Sequence, residues 1–342
     1  MEIMDVTEED YFKGFTSDYT DESNTTFPAP CNTASVNEFG KHFLPRFYYT
    51  IFVFSLLGNG VVLLLIYKFE KLTTVTNIFL LNLVASDLMF TFSLPFQAEY
   101  HSSEWFFGPV ACKLVFFLYS LGFHNSILFL TVTAFDRYLS VVHAVVATQQ
   151  RSKRYACASS AALWLIATLV SLPEVILFDV KNDPTLGKLC QDTSSLESQI
   201  LRMYIRFALF LILPLLVVLY CYIRIVLTVI SSRIRGKWRT VRLIFVIVAL
   251  FFACWMPYNI VLLIKDHYSS CESMILKVEY VTHNIAHLYF CINPVFYAFM
   301  ARKFQNHFRT YLGRYVPFLK PASDFSTASK SISQRTQQSV HM

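Results

Sequence analysis

Charged residues are scarce in this sequence. Only 15% of its 342 residues are Asp, Glu, Lys or Arg, whereas 55% are hydrophobic. A soluble domain carries about 25% charged residues, so this chain would leave large apolar patches on any water-facing surface. The composition therefore excludes an ordinary water-soluble fold and indicates a chain that faces lipid.

Several chemical signatures are missing as well. The sequence contains no metal-ligand cluster, no phosphate-binding loop and no nucleophile constellation, so we expect neither an enzyme nor a metal or organic cofactor. It also lacks the paired broken helices in internal repeats, and the ring of charges, that a transporter or channel would need. A transporter or channel is thus a disfavoured alternative.

Seven apolar runs are present instead, each near the length of about 20 residues that crosses a bilayer. Because the backbone must satisfy its own hydrogen bonds in lipid, these runs must be helices. The sequence predicts an all-α membrane protein with a seven-transmembrane helix bundle over residues 44–301. The runs are Phe47–Tyr67, Leu72–Ala98, Leu114–Phe135, Tyr155–Pro173, Phe207–Ile223, Leu243–Ile264 and Val281–Ala301.

The distribution of charge indicates how the chain is oriented. Nine acidic residues precede the first run, whereas segment 231–239 is basic and has no acid, and Arg151, Lys153 and Arg154 follow the third run. Basic loops stay in the cytoplasm. We therefore predict a multi-pass plasma-membrane protein with its N-terminus outside. The net charge of +6 follows from this topology, so we expect no nucleic-acid partner.

Four cysteines map to the predicted outer side: Cys31, Cys112, Cys190 and Cys271. In an oxidising compartment, an even number of cysteines predicts two disulfides, here with three possible pairings. The four lack the C-x-x-C spacing that would favour a metal site.

The N-terminal segment 1–43 is acidic and predicted to be disordered, because it has little apolar surface to bury. Asn24 begins an N-glycosylation sequon, Asn24-Thr25-Thr26. Tyr11 and Tyr19 lie among acids. Two interpretations stay open: a solvated acidic leader, or a flexible anionic arm with sulfated tyrosines that captures a basic partner by electrostatic steering.

Ionisable residues at membrane depth are candidates for function, because burying them in lipid is costly. Asp87 lies midway along the second run, and Arg206 lies at the outer start of the fifth. Asp136 and Arg137 directly follow the third run, at the inner end of that span, and His283 lies in the seventh.

Short motifs recur in order along the runs and carry a family resemblance. They are Gly58-Asn59, Leu83–Leu88, Asp136-Arg137-Tyr138, Trp164, Pro214, Cys254–Tyr258 and Asn293–Tyr297. Together they resemble the rhodopsin-like G-protein-coupled receptors over residues 44–315. Within that family, Asp136–Ala144, Trp105–Gly108 and Ser93–Pro95 are similar to motifs of the chemokine receptors, chiefly the CC and XC branches. The resemblance implies the disulfides Cys112–Cys190 and Cys31–Cys271.

The resemblance implies a basic chemokine as the ligand, bound by the outer tail and the outer half of the bundle. The implied ligand-binding residues are Tyr11, Tyr19, Tyr48, Tyr119, Arg206, Tyr258 and His283. One departure is His283, where relatives usually carry Glu to anchor an amine. Tyr119 occupies the position at which amine receptors carry Asp, which argues against a monoamine ligand.

On the inner side, the resemblance implies an inhibitory-type heterotrimeric G protein, with leukocyte migration and calcium signalling downstream. Asp136 is expected to hold Arg137 until activation. The implied switch residues are Asp136, Arg137, Tyr138, Tyr222, Trp255, Asn293 and Tyr297, and an allosteric sodium ion would bind at Asp87, Ser126 and Asn293.

The C-terminal part of the chain suggests further partners. Residues 302–315 alternate basic and aromatic side chains, which predicts a short amphipathic eighth helix on the membrane lipid. Residues 316–342 are rich in Ser and Thr and predicted to be disordered; by resemblance, receptor kinases modify them to recruit arrestin. The alternatives are a scavenging chemokine receptor without G-protein signalling, or another peptide-binding receptor of this kind.

Overall fold

The fold is described by a computed structural model that covers residues 34–69, 74–184, 187–231, 238–267 and 273–300. Several predicted features lie outside the described residues. They are Tyr11, Tyr19, Asn24, Cys31, Cys271, the membrane-surface helix 302–315 and the tail 316–342.

Helices account for almost all of the described chain. They are α1 (Ala34–Phe69), α2 (Val75–Ser102), α3 (Gly108–Val142), α4 (Ala144–Gln150), α5 (Lys153–Leu177), α6 (Leu196–Phe207), α7 (Leu213–Ser231), α8 (Trp238–His267) and α9 (Ser273–Met300). The two strands β1 (Phe178–Asp183) and β2 (Gly187–Asp192) form an antiparallel hairpin that pairs Val180 with Cys190.

The described residues of the predicted spans lie almost entirely within the long helices, most of which extend beyond them. Five helices among the described residues are long and apolar enough to cross a membrane, with a shorter apolar segment, Phe252–Leu262, in α8. The first helix begins at Ala34, well before the predicted Phe47, so residues 34–43 are helical rather than part of a disordered tail. Hydropathy identifies only the apolar segment that lies within the lipid, whereas the helices continue into the polar headgroup region of the membrane.

Span five is one continuous helix with a local irregularity. Residues 208–212 form a π-helical turn between α6 and α7, directly before Pro214. Proline lacks the N–H that would continue the α-helical hydrogen-bond ladder, so the preceding turn has to adjust. Phe210, within the turn, is buried in the core, and Arg206 lies one turn before Phe210 on the same face.

The outer end of the bundle is closed by the hairpin and the loop before α3. Cys112 at the start of α3 forms a disulfide with Cys190 of β2, which confirms this half of the predicted pairing. Fully buried Trp105 packs in the same cluster and donates from Nε1 to the Gly108 carbonyl at 2.9 Å. Gly108 has a φ of +82°, a conformation that glycine adopts without steric cost.

The second and third spans approach each other closely at Gly122. A Cβ atom at this position would lie 2.5 Å from the Phe90 backbone nitrogen and 2.7 Å from the Ser86 carbonyl oxygen. Backbone atoms cannot move aside as a flexible side chain can. The absence of a side chain at Gly122 therefore sets the distance between α2 and α3.

We expect Gly122→Ala to lower the apparent unfolding temperature of the purified protein by about 5 °C or more, because overpacking a close contact costs about 1–3 kcal/mol. Gly60→Ala is the matched control, since nothing lies within 4 Å of a Cβ placed there. Thermal unfolding in detergent measures both variants. Equal unfolding temperatures would contradict the proposed role of Gly122 in helix packing.

Candidate functional site

A cavity of about 150 Å³ lies in the outer half of the bundle, below the hairpin. Its walls come from spans three to seven and from Phe178 of β1. The residues that line it are Phe116, Tyr119, Ser120, Phe123, His124, Ile127, Glu174, Phe178, Met203, Tyr204, Arg206, Phe207, Phe210, Leu211, Trp255, Tyr258, Asn259, Leu262 and His283.

The floor of the cavity is aromatic. Trp255 of α8 is almost fully buried, and its ring lies 4.7 Å from the ring of Phe123 in α3. Phe123 in turn lies 6.3 Å from Phe290 of α9. A group entering the cavity thus presses on side chains that join spans three, six and seven.

One wall carries an ion pair at membrane depth. Arg206 of α6 donates from Nη2 to Glu174 Oε1 of α5 at 2.9 Å, and the Glu174 side chain is only 4% exposed. Each charge lowers the free-energy cost of burying the other in apolar surroundings. Both side chains also line the cavity, so a ligand meets a cation and an anion side by side.

A second polar group lies deeper in the same wall. His124 Nδ1 is 3.2 Å from the hydroxyl oxygens of both Ser120 and Ser171, and Ser120 donates to Ser171 at 3.0 Å. The other ring nitrogen of His124, Nε2, is buried with no hydrogen-bond partner among the described residues. This nitrogen is available to a polar ligand group.

The opposite wall is built around span seven. The His283 ring lies 4.8 Å from Tyr258 and 4.5 Å from His287, one turn further along α9. His287 Nε2 is 2.6 Å from the Tyr119 hydroxyl of α3. These contacts link spans three, six and seven across the cavity.

Four of the predicted ligand-binding residues line the cavity: Tyr119, Arg206, Tyr258 and His283. Tyr48 is not among the lining residues; it is buried behind them, with its ring 5.8 Å from His287.

Three polar residues in the outer half of the bundle were not predicted from the sequence. Glu174 and Glu279 lie just beyond the predicted ends of spans four and seven, yet both are buried in the structure. The third, His124, was given no role. An acid at the outer boundary of an apolar run was the available signal for Glu174 and Glu279.

A polar cluster lies at mid-membrane depth between spans one, two and three. Ser126 donates from its hydroxyl to Asp87 Oδ1 at 2.7 Å, and Asp87 is buried. Asn125 donates to Ser86 at 2.9 Å. Asn293 lies in α9, but its side chain is outside the part described, so the predicted sodium site is only partly visible.

At the inner end, Asp136 has a partner that was not predicted from the sequence. Both carboxylate oxygens accept hydrogen bonds from Arg151, at 2.8 Å each. Arg137 donates from Nη2 to the Thr76 hydroxyl at 2.5 Å. The loop after span three folds back and places Arg151 against the acid, a contact that was not predicted from the sequence. The expected contact between Asp136 and Arg137 stays a prediction.

The other predicted switch residues lie in different parts of the bundle. Tyr222 of α7 is buried in a cluster with Tyr138 and Ala134 of α3, and Trp255 lies in the floor of the outer cavity. Tyr297 lies in α9, with its side chain outside the described part.

These features define a class of protein. A bundle of spanning helices with an outer cavity, a disulfide-closed lid and a basic inner end is the architecture of a membrane receptor. The sequence profile described as "7 transmembrane receptor (rhodopsin family)" matches residues 58–297.

Curated proteins of similar sequence give the same assignment more narrowly. The chain is 36% identical to C-C chemokine receptor type 3 of Cavia porcellus over 329 residues, 90% of each chain. It is 35% identical to C-C chemokine receptor type 4 of Homo sapiens, covering 85% of this chain and 84% of that one. It is 33% identical to C-C chemokine receptor type 8 of Homo sapiens, covering 85% and 88%.

The chain therefore belongs to the rhodopsin family of seven-transmembrane receptors and, within it, to the chemokine receptor group. It is a multi-pass protein of the plasma membrane and not an enzyme.

Proposed function

We propose that this receptor binds a basic chemokine on its outer side and activates an inhibitory-type heterotrimeric G protein on its inner side, directing leukocyte migration and calcium signalling. The observation that carries the proposal is the outer cavity, whose walls hold Arg206, Glu174 and His124 above the buried Trp255. Its mixed polarity suits the end of a peptide better than a lipid or a monoamine.

Recognition would take place in two parts. The acidic segment 1–43 would attract the folded body of a basic chemokine, since opposite charges speed encounter. The chemokine's N-terminal segment would then enter the cavity. There Glu174 would accept from an ammonium or amide N–H, and Arg206 would donate to a carbonyl or carboxylate.

Activation would follow from the contacts of the cavity floor. A ligand shifts a conformational equilibrium only when it binds one state more tightly than the other. Trp255 and Phe123 join spans three and six under the cavity. We infer that the bound peptide end favours a different packing of these two rings, and that spans five and six then separate at the inner end to admit the G protein.

Membership of the chemokine receptor group is also the basis for proposing further partners. Receptor kinases would phosphorylate the Ser/Thr-rich segment 316–342, and arrestin would then bind it. A sodium ion would be held by oxygen atoms of Asp87 and Ser126, which fit because hard cations prefer oxygen ligands. Asn293 would complete that set.

A binding screen tests the proposal. Labelled recombinant chemokines and labelled monoamines are applied to cells that express the chain and to matched cells that do not. We expect saturable binding of at least one chemokine and of no monoamine. Saturable binding of a monoamine, with no chemokine bound, would contradict the proposed ligand class.

The acidic arm gives a second test. Replacing Asp10, Tyr11, Asp18 and Tyr19 with neutral residues should slow chemokine association by about tenfold at low salt and less at physiological salt, because ions screen exposed charges. Association rates from surface plasmon resonance at two salt concentrations measure this. Ser17→Ala with Ser23→Ala is the control within the same segment. Equal rates for arm variant and wild type at low salt would contradict electrostatic capture.

A further inference from the structure

A buried histidine, His124, lies between the outer cavity and span four. It lines the cavity and is only 2% exposed. Its Nδ1 lies 3.2 Å from the hydroxyl oxygens of Ser120, one turn earlier in α3, and of Ser171 in α5. Its ring lies 4.2 Å from the ring of Phe210 and 5.1 Å from that of Phe123. These contacts hold the imidazole in one orientation, with Nδ1 toward span four.

The two serines determine which ring nitrogen carries the proton. The Ser120 hydroxyl donates to the Ser171 hydroxyl oxygen at 3.0 Å, so its single proton is used in that bond. The Ser171 proton is left for Nδ1 of His124, 3.2 Å away. In a neutral imidazole, the hydrogen bond made at one nitrogen fixes the proton on the other. Nε2 of His124 is therefore an N–H donor.

This donor has no protein partner within the part of the chain that the structure describes. The Nε2 atom is buried and makes no hydrogen bond. A buried donor without an acceptor is costly, and most such groups in native structures have a partner. Because His124 lines the cavity, an acceptor on a bound ligand can supply that partner.

The charged residues of the cavity lie nearer to its outer end. Glu174 follows Ser171 by three residues in α5, so the two side chains share one face of this helix, with Glu174 one turn further out. Glu174 binds Arg206 at 2.9 Å. A segment that enters from outside thus meets this ion pair first and His124 beyond it.

We propose that His124 is a specificity-determining residue of this receptor: its Nε2–H binds an oxygen acceptor at the tip of the chemokine segment that enters the cavity. The acceptor is a backbone carbonyl, or a side-chain carbonyl or carboxylate, of the first residues. The inference rests on the proposed function and names the chemistry that the deepest part of the ligand supplies. A tip without such an oxygen leaves the donor unpaired and binds more weakly.

The test measures binding by surface plasmon resonance on receptor in nanodiscs. Recombinant C-C chemokines are applied one at a time, each as the full-length protein and as a version without its N-terminal segment. His124→Phe keeps a ring and removes the donor. We expect it to lower the affinity of full-length chemokines about tenfold, the effect of one buried hydrogen bond, and to leave the affinity of truncated versions unchanged.

Two further variants make this test specific. His124→Gln places an amide N–H near the position of Nε2 and should keep most of the affinity. Ser160→Ala is the matched control, because it removes another buried hydroxyl of α5, about three turns from Ser171. Unchanged affinity of His124→Phe, an equal loss for full-length and truncated chemokines, or an equal loss in His124→Gln would overturn the inference.

A change in the ligand distinguishes the two kinds of oxygen. The first three residues of a chemokine that binds are replaced with alanine, and the cycle with His124→Phe is repeated. An effect of His124→Phe that persists assigns the acceptor to a backbone carbonyl. An effect that disappears assigns it to a side chain.

Nitrogen NMR of the purified receptor, labelled with ¹⁵N-histidine, reads the position of the proton without any ligand. The signals that are lost in His124→Phe belong to His124. We expect a proton on Nε2 and none on Nδ1. A proton on Nδ1, with normal chemokine binding, overturns the inference alone. If no chemokine binds the wild-type receptor, the proposed function fails, and the inference fails with it.

Discussion

Cys112→Ala is expected to lower chemokine affinity at least about a hundredfold, effectively abolishing binding, because the hairpin over the cavity is no longer fixed in place. Loss of a native disulfide destabilises the folded state by about 2–5 kcal/mol. The bridge joins the head of α3 to β2. Its hairpin places Phe178 over the cavity, 4.7 Å from Phe116. Without the bridge this roof is no longer tied to α3.

Saturation binding of a labelled chemokine, normalised to receptor at the cell surface, measures this effect. Cys157→Ala is the control, because Cys157 is an exposed free thiol near the inner start of α5. Normal affinity of the Cys112 variant would contradict the role of the bridge.

Cys31→Ala should weaken binding less, and a peptide joining Cys31 to Cys112 under non-reducing conditions would disprove the second predicted pairing.

Arg137→Ala is expected to leave chemokine binding intact while lowering agonist-driven nucleotide exchange about a hundredfold, within the range of ordinary coupling free energies. The reason is spatial. Arg137 lies at the inner end, bonded to Thr76, whereas the cavity lies near the disulfide at the other end. Removing its side chain takes away the group proposed to meet the G protein without touching the ligand site.

The measurement compares membranes with matched receptor numbers. Lys153→Ala, an exposed cation at the same end, is the control for a general loss of positive charge. Undiminished exchange by Arg137→Ala would contradict the coupling mechanism, as would a loss of exchange fully explained by fewer receptors at the surface.

The membrane architecture could be predicted because its cause is local in sequence. A run of about 20 apolar residues without charge has one stable form in lipid, a helix. What hydropathy could not give was where each helix ends. Helix α1 starts at Ala34 and α3 continues to Val142, because residues near the polar boundary keep helical hydrogen bonds without being apolar.

The ligand cavity was predicted in part for a related reason. Arg206 and His283 stood out as ionisable residues within apolar runs, and both line the cavity. Glu174 escaped notice because it follows Pro173, where the apolar run ends, and only the tertiary contact with Arg206 shows its place. The sequence of neither helix shows that Glu174 and Arg206 form an ion pair.

The contacts at the inner end of the bundle were also not predictable from the sequence. Asp136 and Arg137 are adjacent in sequence, and the family resemblance implied that the acid holds the arginine. The structure pairs Asp136 with Arg151, fifteen residues later, because α4 turns the chain back onto span three. The contact between Asp136 and Arg151 depends on the length and direction of the short helix α4. Neither can be read from the composition of the sequence.

We propose that a chemokine bound outside drives nucleotide exchange inside. The most direct measurement places purified wild-type receptor in nanodiscs with an inhibitory-type heterotrimer and follows exchange as a chemokine selected by the binding screen is titrated in. We expect a saturable acceleration of exchange that Arg137→Ala abolishes. If the chemokine binds to the receptor in the nanodisc but exchange is no faster than without chemokine, the proposed signalling function is contradicted and a scavenging receptor is favoured instead.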